Sequence, residues 1–241
     1  MSQYSQHSFS EKVALITDGT NPIGRATAMQ LALLGCYVVV GRSNSTELEK
    51  NSLEELQSLG TLASSVDIDF GSVEGTKKLI GEVDKLFGRL DLLVNCLKFY
   101  EDSEFNSITE NEFDNFNNRM LKSTFFAVKE SLRLMNSRPS PKIVNALSMC
   151  NTEQTQKNVV FKTINSALIG MTESLSQTLP SKFRVNAVAV TEKEKKHANE
   201  KLDEDLFRVK KEIDEDDAAR TIIYLLSKDS IGINGQVLSI S

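Results

Sequence analysis

Short apolar runs alternate with amphipathic segments along the first half of the chain, and this alternation constrains the fold more than any other feature. Four runs have the length and composition of buried strands, at residues 13–17, 37–40, 62–66 and 90–95. Three helical patterns separate them, at residues 23–34, 47–59 and 73–87. Strands that alternate with helices in this way pair in parallel, with helices covering both faces of the sheet. The pattern therefore predicts an α/β fold.

The second half of the chain continues the same rhythm. Further strands are predicted at residues 143–147, 184–190 and 236–240, and further helices at residues 113–135, 159–179 and 218–226. Together these elements predict a Rossmann-type, doubly wound parallel sheet of about seven strands with helices on both faces. No internal repeat, linker or change of composition divides the sequence, so we expect residues 1–241 to form a single domain.

Charge and hydropathy argue against several classes of function. The 28 Lys and Arg residues are outnumbered by 33 Asp and Glu residues, which gives a formal net charge of −5. This acidic balance argues against nucleic-acid binding as the main role. No apolar run approaches the roughly 20 residues that a bilayer-spanning helix needs. Residues 1–12 lack the pattern of a signal or transit peptide. We therefore expect a cytoplasmic protein that binds neither nucleic acid nor membranes.

The cysteines and histidines are too few and too scattered for a metal site. Cys36, Cys96 and Cys150 show no paired spacing, which is typical of free thiols in a reducing compartment. His7 lies near the start of the chain and His197 lies in a charged run. We therefore expect neither a metal site nor a Ser-His-Asp triad.

Residues 192–217 are dominated by Lys, Glu and Asp. A mixed-charge run of this kind is typical of a solvated helix-loop-helix segment. The alternative interpretation is a lid or a partner-binding flap, and the sequence leaves both interpretations open.

Six motifs, in order and at natural spacing, resemble those of the short-chain dehydrogenase/reductase family, and particularly its 3-oxoacyl-carrier-protein reductase type. They are the turn at residues 17–24, Asp67, the strand 91–95, the strand 142–145 that leads to Ser148, the strand 184–188 and the strand 235–238. The turn resembles T-G-x-x-x-G-x-G, and residues 95–98 stand where the family has N-N-A-G. The resemblance covers nearly the whole chain and implies the fold and cofactor chemistry of an NAD(P)-dependent oxidoreductase.

The resemblance assigns four catalytic positions, of which only Ser148 keeps the residue of the family. Phe161 occupies the position of the catalytic tyrosine, and Asn165 occupies that of the lysine one helical turn later. Met120 stands where the family has the asparagine of its proton relay. Phenylalanine has no hydroxyl that could transfer a proton, and asparagine has no charge that could lower the pKa of one. The resemblance therefore implies that ordinary dehydrogenase chemistry is lost.

The cofactor site implied by the resemblance is altered as well. Asp18 and Pro22 replace two glycines of the turn, which puts a carboxylate near the expected phosphates and removes a backbone N–H group. If a dinucleotide binds, the resemblance assigns its contacts to Gly19, Ile23, Gly24, Arg42, Asp67 and Asn95. Arg42 follows the second strand, where an arginine favours NADP(H) by pairing with its 2′-phosphate. The alternative is an ordinary surface arginine, so the cofactor is either NADP(H) or none.

Three functions follow, and the sequence favours the first. This is a homologue without dehydrogenase activity that acts as a structural, regulatory or partner subunit. The second is an NADP(H)-dependent oxidoreductase with unorthodox catalytic residues, in which Ser148 works with water or a substrate group. The third is a binding module for another small ligand, in a cleft lined by Leu97, Lys98, Tyr100, Met149 and Phe161. A cleft filled by Pro22, Leu97 and Phe161 would argue against the second function.

The resemblance also implies an oligomer. In the family, the helices that correspond to residues 113–135 and 159–179 form a four-helix dimer interface, and the C-terminal strand contributes to a second interface. Small residues at Ser166, Ala167 and Gly170 would allow close approach at the first interface. We expect a homodimer, a homotetramer or a hetero-oligomer with an active paralogue.

Overall fold

The computed structural model of the protein describes residues 9–42, 54, 56–59, 61–97, 105–149, 158–191 and 215–240. The strands in these ranges are β1 (Val13–Ile16), β2 (Tyr37–Arg42), β3 (Ala63–Asp67), β4 (Leu92–Asn95), β5 (Lys142–Met149), β6 (Arg184–Thr191) and β7 (Val237–Ile240). The helices are α1 (Pro22–Leu33), α2 (Val73–Phe87), α3 (Glu110–Phe116), α4 (Ser123–Met135), α5 (Val159–Thr178) and α6 (Glu215–Leu226). A π-helical segment, Asn117–Lys122, joins α3 to α4, and a 3-10 turn, Lys228–Ser230, follows α6.

The strands pair in parallel in one seven-stranded sheet, in the order β3-β2-β1-β4-β5-β6-β7. The chain builds outwards from β1 to β3, returns to the centre, and builds outwards again from β4 to β7. This order confirms the doubly wound Rossmann-type sheet that the sequence predicts. The reversal between β1 and β4 creates a crevice at the carboxyl ends of these two strands, where sheets of this kind bind ligands.

An apolar layer covers each face of the sheet. Leu31 of α1 and Ile222 of α6 are fully buried in one layer. Leu79 of α2 and Val128 of α4 are buried in the other. Every residue of β1 and β4 is buried, because these central strands are covered on both faces. This is why the two strands are continuous apolar runs in the sequence and not alternating ones.

The predicted elements differ from the structure mainly at their ends. The helix predicted over residues 113–135 begins earlier, at a capping box formed by Thr109 and Glu112, and is interrupted by the π-helical segment. Most of the helix predicted at residues 47–59 lies outside the described residues, as does the charged run up to residue 214. The last three residues of that run form the acidic first turn of α6.

Two further findings concern only the described ranges. None of the helices there is both long enough and apolar enough to cross a membrane. No group of three or more His, Cys, Asp or Glu side chains there is arranged to hold a metal ion.

Lys142, the first residue of β5, is buried in spite of its ammonium group. Its Nζ donates to the carbonyl oxygens of Leu226 (2.7 Å) and Ser227 (2.6 Å), where α6 ends. Carbonyls at a helix end have no partner within the helix, so the lysine caps α6 and ties it to the sheet. Burial, reinforced by the positive charges of Arg184 and Lys12, lowers the pKa of Lys142 to about 7.

This lowered pKa makes the contribution of Lys142 to stability depend on pH. Above pH 7 the folded protein releases the proton, whereas the unfolded chain keeps it up to the ordinary lysine pKa of 10.5. The unfolded state then binds more protons, so stability rises with pH. We expect the free energy of unfolding, relative to that of Lys142→Met, to increase by about 2 kcal/mol from pH 7 to pH 9.

Urea unfolding of both proteins at the two pH values measures this increase. The comparison with Lys142→Met cancels the opposite effect of two buried thiols, Cys36 and Cys96, whose pKa values are raised by burial. A difference in free energy that does not change with pH would contradict the prediction.

Candidate functional site

The turn at residues 17–24 joins β1 to α1 and borders the crevice between β1 and β4. The N–H of Thr17 donates to the carbonyl oxygen of Val94 (3.0 Å), and its hydroxyl accepts the N–H of Cys96 (3.2 Å). Nδ2 of Asn21 donates to the carbonyl oxygen of Cys96 (2.9 Å). The turn that the sequence singles out as a phosphate-binding loop is thus fixed to the chain that follows β4.

Asp18 engages the backbone amides of this turn. Its Oδ1 accepts the N–H groups of Thr20 (2.9 Å) and Asn21 (3.2 Å), and also the hydroxyl of Thr20 (2.5 Å). The N–H of Ile23 donates to Oδ1 of Asn21, the N-cap residue of α1 (2.9 Å). In dinucleotide-binding turns, backbone amides at the start of the helix hold the phosphates. Here three such amides are already satisfied by side chains of the turn.

The two remaining glycines of the turn are required by close packing. A Cβ on Gly24 would lie 1.9 Å from the carbonyl oxygen of Asp18 and 2.8 Å from Sγ of Cys96. A Cβ on Gly19 would lie 2.7 Å from Cβ of Val40. All three distances are shorter than the contacts that real Cβ atoms make. Packing therefore explains both glycines, and their presence does not by itself indicate nucleotide binding.

Arg42 and Asp67, two of the predicted cofactor residues, lie opposite each other at the ends of β2 and β3. They form a bidentate ion pair, with Nε 2.5 Å from Oδ1 and Nη2 3.1 Å from Oδ2. Nζ of Lys78 donates to the carbonyl oxygen of Asp67 (2.8 Å). An open groove of about 540 Å³ starts here and runs along the first turns of α2. The arginine expected to contact a 2′-phosphate therefore already has a carboxylate partner.

Met120 and Phe161, which the resemblance assigns to catalytic positions, are part of a buried apolar cluster. Each of these side chains is only 2% exposed, and the cluster also contains Phe116 and Leu147. Ser148 follows Leu147 at the end of β5 and is half-buried. Hydrocarbon therefore occupies the position where the resemblance expects a hydroxyl.

Asn165 lies one turn after Phe161 on α5 and is also buried. Its Nδ2 donates to the carbonyl oxygen of Phe161 (2.9 Å). Its Oδ1 has no hydrogen-bond partner among the described residues. The lysine position of the family is thus a neutral amide held against its own helix, and it supplies no cation to the site.

The π-helical segment Asn117–Lys122 places Met120 in the apolar cluster. Such segments are rare and are frequent at functional sites. The hydroxyl of Ser123 donates to the carbonyl oxygen of Asn118 (2.8 Å), across this widened turn. Sequence reasoning missed the segment because apolar periodicity does not distinguish a short π-helix from an α-helix.

Buried polar side chains connect the sheet to α5. Nδ2 of Asn95 donates to Oδ1 of Asn145 (2.9 Å), and Nδ2 of Asn145 donates to Oγ1 of Thr172 (2.9 Å). Sequence reasoning assigned Asn95 to the cofactor and missed the other two residues. The only sequence signal for Asn145 and Thr172 was that each is a polar residue within a largely apolar segment. In the structure, Asn95 helps to hold β4, β5 and α5 together.

The expected lining of the cleft is described only in part. Phe161 is buried, Leu97 is half-buried, and Pro22 is exposed at the first position of α1. The three side chains expected to fill the cleft therefore do not all lie inside it, so they do not exclude an oxidoreductase. The remaining expected lining residues lie outside the described ones: Lys98, Tyr100 and the side chain of Met149.

Comparison with known proteins identifies the family. The model of the short chain dehydrogenase family matches residues 12–205. The chain is 27% identical over 237 residues to the 3-oxoacyl-(acyl-carrier-protein) reductase of Staphylococcus aureus (strain N315), covering 95% of this chain and 96% of that protein. The reductase of the same name from Aquifex aeolicus is 27% identical over 242 residues, with 95% and 96% covered. The protein therefore belongs to the short-chain dehydrogenase/reductase family.

Solved structures agree with this assignment. L-sorbose reductase from Gluconobacter frateurii, complexed with NADPH and L-sorbose, superposes with a TM-score of 0.85 at 17% identity, covering 98% of this chain and 97% of that one. A short chain dehydrogenase from Burkholderia cenocepacia in complex with NADP gives 0.83 at 23% identity, with 97% and 98% covered. Similarity at this level shows the fold alone.

The relatives are named as reductases or dehydrogenases. The comparisons therefore favour the oxidoreductase, the second function expected from the sequence, over the homologue without activity. They do not test the residues at positions 161 and 165.

The packing at Gly24 leads to a stability prediction. We expect Gly24→Ala to lower the free energy of unfolding by about 2 kcal/mol or more, because the new methyl group overlaps a backbone oxygen. Gly81→Ala on α2 is the matched control, since a Cβ there meets nothing within 4 Å. That variant should be neutral or slightly stabilising. Urea unfolding measures both, and equal stabilities of the two variants would contradict the prediction.

Proposed function

We propose that the protein is a short-chain dehydrogenase/reductase homologue that lacks the proton transfer of the family and acts as a non-catalytic partner subunit. One observation carries the proposal. Phe161, which the resemblance assigns to the position of the catalytic hydroxyl, is 2% exposed and packed in an apolar cluster with Phe116 and Met120. Membership of a family does not determine the reaction, because the chemistry depends on the groups at the site.

The missing groups account for a large share of a normal rate. A positioned general acid contributes roughly 10²–10⁴-fold. A tyrosine also needs a neighbouring cation, since its ordinary pKa of about 10 lies well above neutral pH. The tyrosines in the described ranges lie elsewhere: Tyr37 in β2, stacked on Phe87, and Tyr224 in α6.

The wild-type rate tests this proposal. We expect reduction of 3-oxoacyl thioesters with NADPH or NADH to be at least ~10²-fold slower than with the Staphylococcus aureus reductase assayed in parallel. Phe161→Tyr/Asn165→Lys should remain inactive, because Asp18 still engages the amides of the turn. Absorbance of the reduced nucleotide measures turnover, and circular dichroism shows whether the variant folds. A wild-type rate equal to that of the control would refute the proposal.

A second candidate function is an NADP(H)-dependent oxidoreductase with unorthodox catalytic residues. The comparisons favour it, and so does Arg42 at the end of β2, where a 2′-phosphate is recognised in such folds. Ser148 would polarise the substrate oxygen, and the proton would come from water or the substrate. Turnover of a carbonyl compound by the wild type that is lost in Ser148→Ala would support this function.

The proposed subunit role requires an interface. We place it on α4 and α5 of a single cytoplasmic domain spanning residues 1–241, in a homo-oligomer or a hetero-oligomer with an active paralogue. Phe125 of α4 is 48% exposed and Val159 of α5 is 47% exposed. Gly170 of α5 is exposed, and a Cβ there meets nothing within 4 Å. Exposed apolar and small residues on these two helices are consistent with close packing between subunits.

A bulky charge at Gly170 tests the interface. We expect Gly170→Arg to shift the protein towards the monomer, because the long cation blocks close approach of two helices. Gly81→Arg on α2 is the matched control, since Gly81 is equally open but lies outside the proposed interface. Size-exclusion chromatography with light scattering gives the masses. Equal masses for the two variants would contradict an interface at α5.

A further inference from the structure

We propose that the carboxylate of Asp18 takes the place of the pyrophosphate of NADP(H), so that an anion of the protein itself closes the cofactor site. This inference concerns the cofactor site and not the catalytic positions. It therefore goes beyond the proposed function and is tested independently of it.

The turn after β1 shows the replacement most clearly. Oδ1 of Asp18 lies 2.9 Å from N of Thr20 and 3.2 Å from N of Asn21, which are ordinary hydrogen-bond distances. A phosphate oxygen reaches these two amides only after the carboxylate leaves them. The displaced carboxylate would then lie beside the incoming anion, and like charges in contact strongly oppose binding.

The start of α1 is satisfied in the same way. The N-terminus of a helix favours a negative charge, and Asp18 supplies one within the preceding turn. The N–H of Ile23 is already bonded to Oδ1 of Asn21 (2.9 Å). Pro22 at the first helical position has no N–H to offer. The backbone N–H groups that would bind a pyrophosphate are therefore either already hydrogen-bonded to side chains of the turn or missing.

The pair between Arg42 and Asp67 adds no comparable barrier. Asp67 is a residue that the resemblance shares with the family, and the two side chains are 19% and 46% exposed, so solvent weakens the pair. The turn after β1 is therefore the part of the site that does not fit NADP(H), although family membership implies this cofactor.

Removing the carboxylate from the turn tests the inference. We expect Asp18→Gly to bind NADPH at least ~10-fold more tightly than the wild type in a fluorescence titration. Millimolar inorganic pyrophosphate should raise the thermal midpoint of Asp18→Gly but not that of the wild type.

Two further variants control for the loss of a surface charge and for misfolding. Asp84→Ala removes the same charge from a surface pair with Arg133 and should leave NADPH binding unchanged. Asp18→Asn retains the shape and the acceptor oxygen, so it should fold even if Asp18→Gly does not. The loss of charge alone should still tighten NADPH binding relative to the wild type.

The outcomes separate this inference from the proposed function. Micromolar binding of NADPH by the wild type, without turnover, would overturn the inference and leave the proposed function standing. The inference would also fail if folded Asp18→Gly gained no affinity for NADPH. Turnover by the wild type would instead refute the proposed function.

Discussion

The contact between the turn after β1 and the end of β4 is the constraint on which the rest of the site depends. The side chains of Thr17 and Asn21 bind the backbone N–H and carbonyl groups of Cys96 through two hydrogen bonds, and Gly24 lets α1 approach the backbone of Asp18. These hydrogen bonds and this close packing fix the shape of the crevice in the doubly wound sheet. A small change of residue inside the turn therefore changes what the crevice can bind without changing the fold.

The catalytic positions show the same separation of fold from chemistry. Phe161 and Met120 contribute to an apolar cluster that holds α5 and the π-helical segment together. Asn95 and Asn145 connect the central strands to α5 through buried hydrogen bonds. Residues at these positions serve packing, and the scaffold remains consistent from local pattern to core. The fold and the chemistry of a site can change independently. For this reason the comparisons, which reflect the fold, favour an oxidoreductase, whereas the residues at the site favour a protein without the family's proton transfer.

The sequence predicted the sheet well because apolar runs are local signals. The runs at β1 and β4 are examples, since each depends on a few neighbouring residues. The assignment of Phe161, Asn165 and Met120 to catalytic positions rests on the resemblance and stays a prediction. The sequence did not predict which atoms each side chain binds. The bond from Asp18 to the amides of Thr20 and the pair between Arg42 and Asp67 depend on how the chain closes in space.

A crystal structure of the wild-type protein grown with millimolar NADPH tests the central claim most directly, because it observes the turn and the catalytic cluster together. The account predicts that Oδ1 of Asp18 remains on the amides of Thr20 and Asn21, that Arg42 remains on Asp67, and that the crevice contains no nucleotide. A structure with the pyrophosphate on these amides and the nicotinamide beside Ser148 would contradict it.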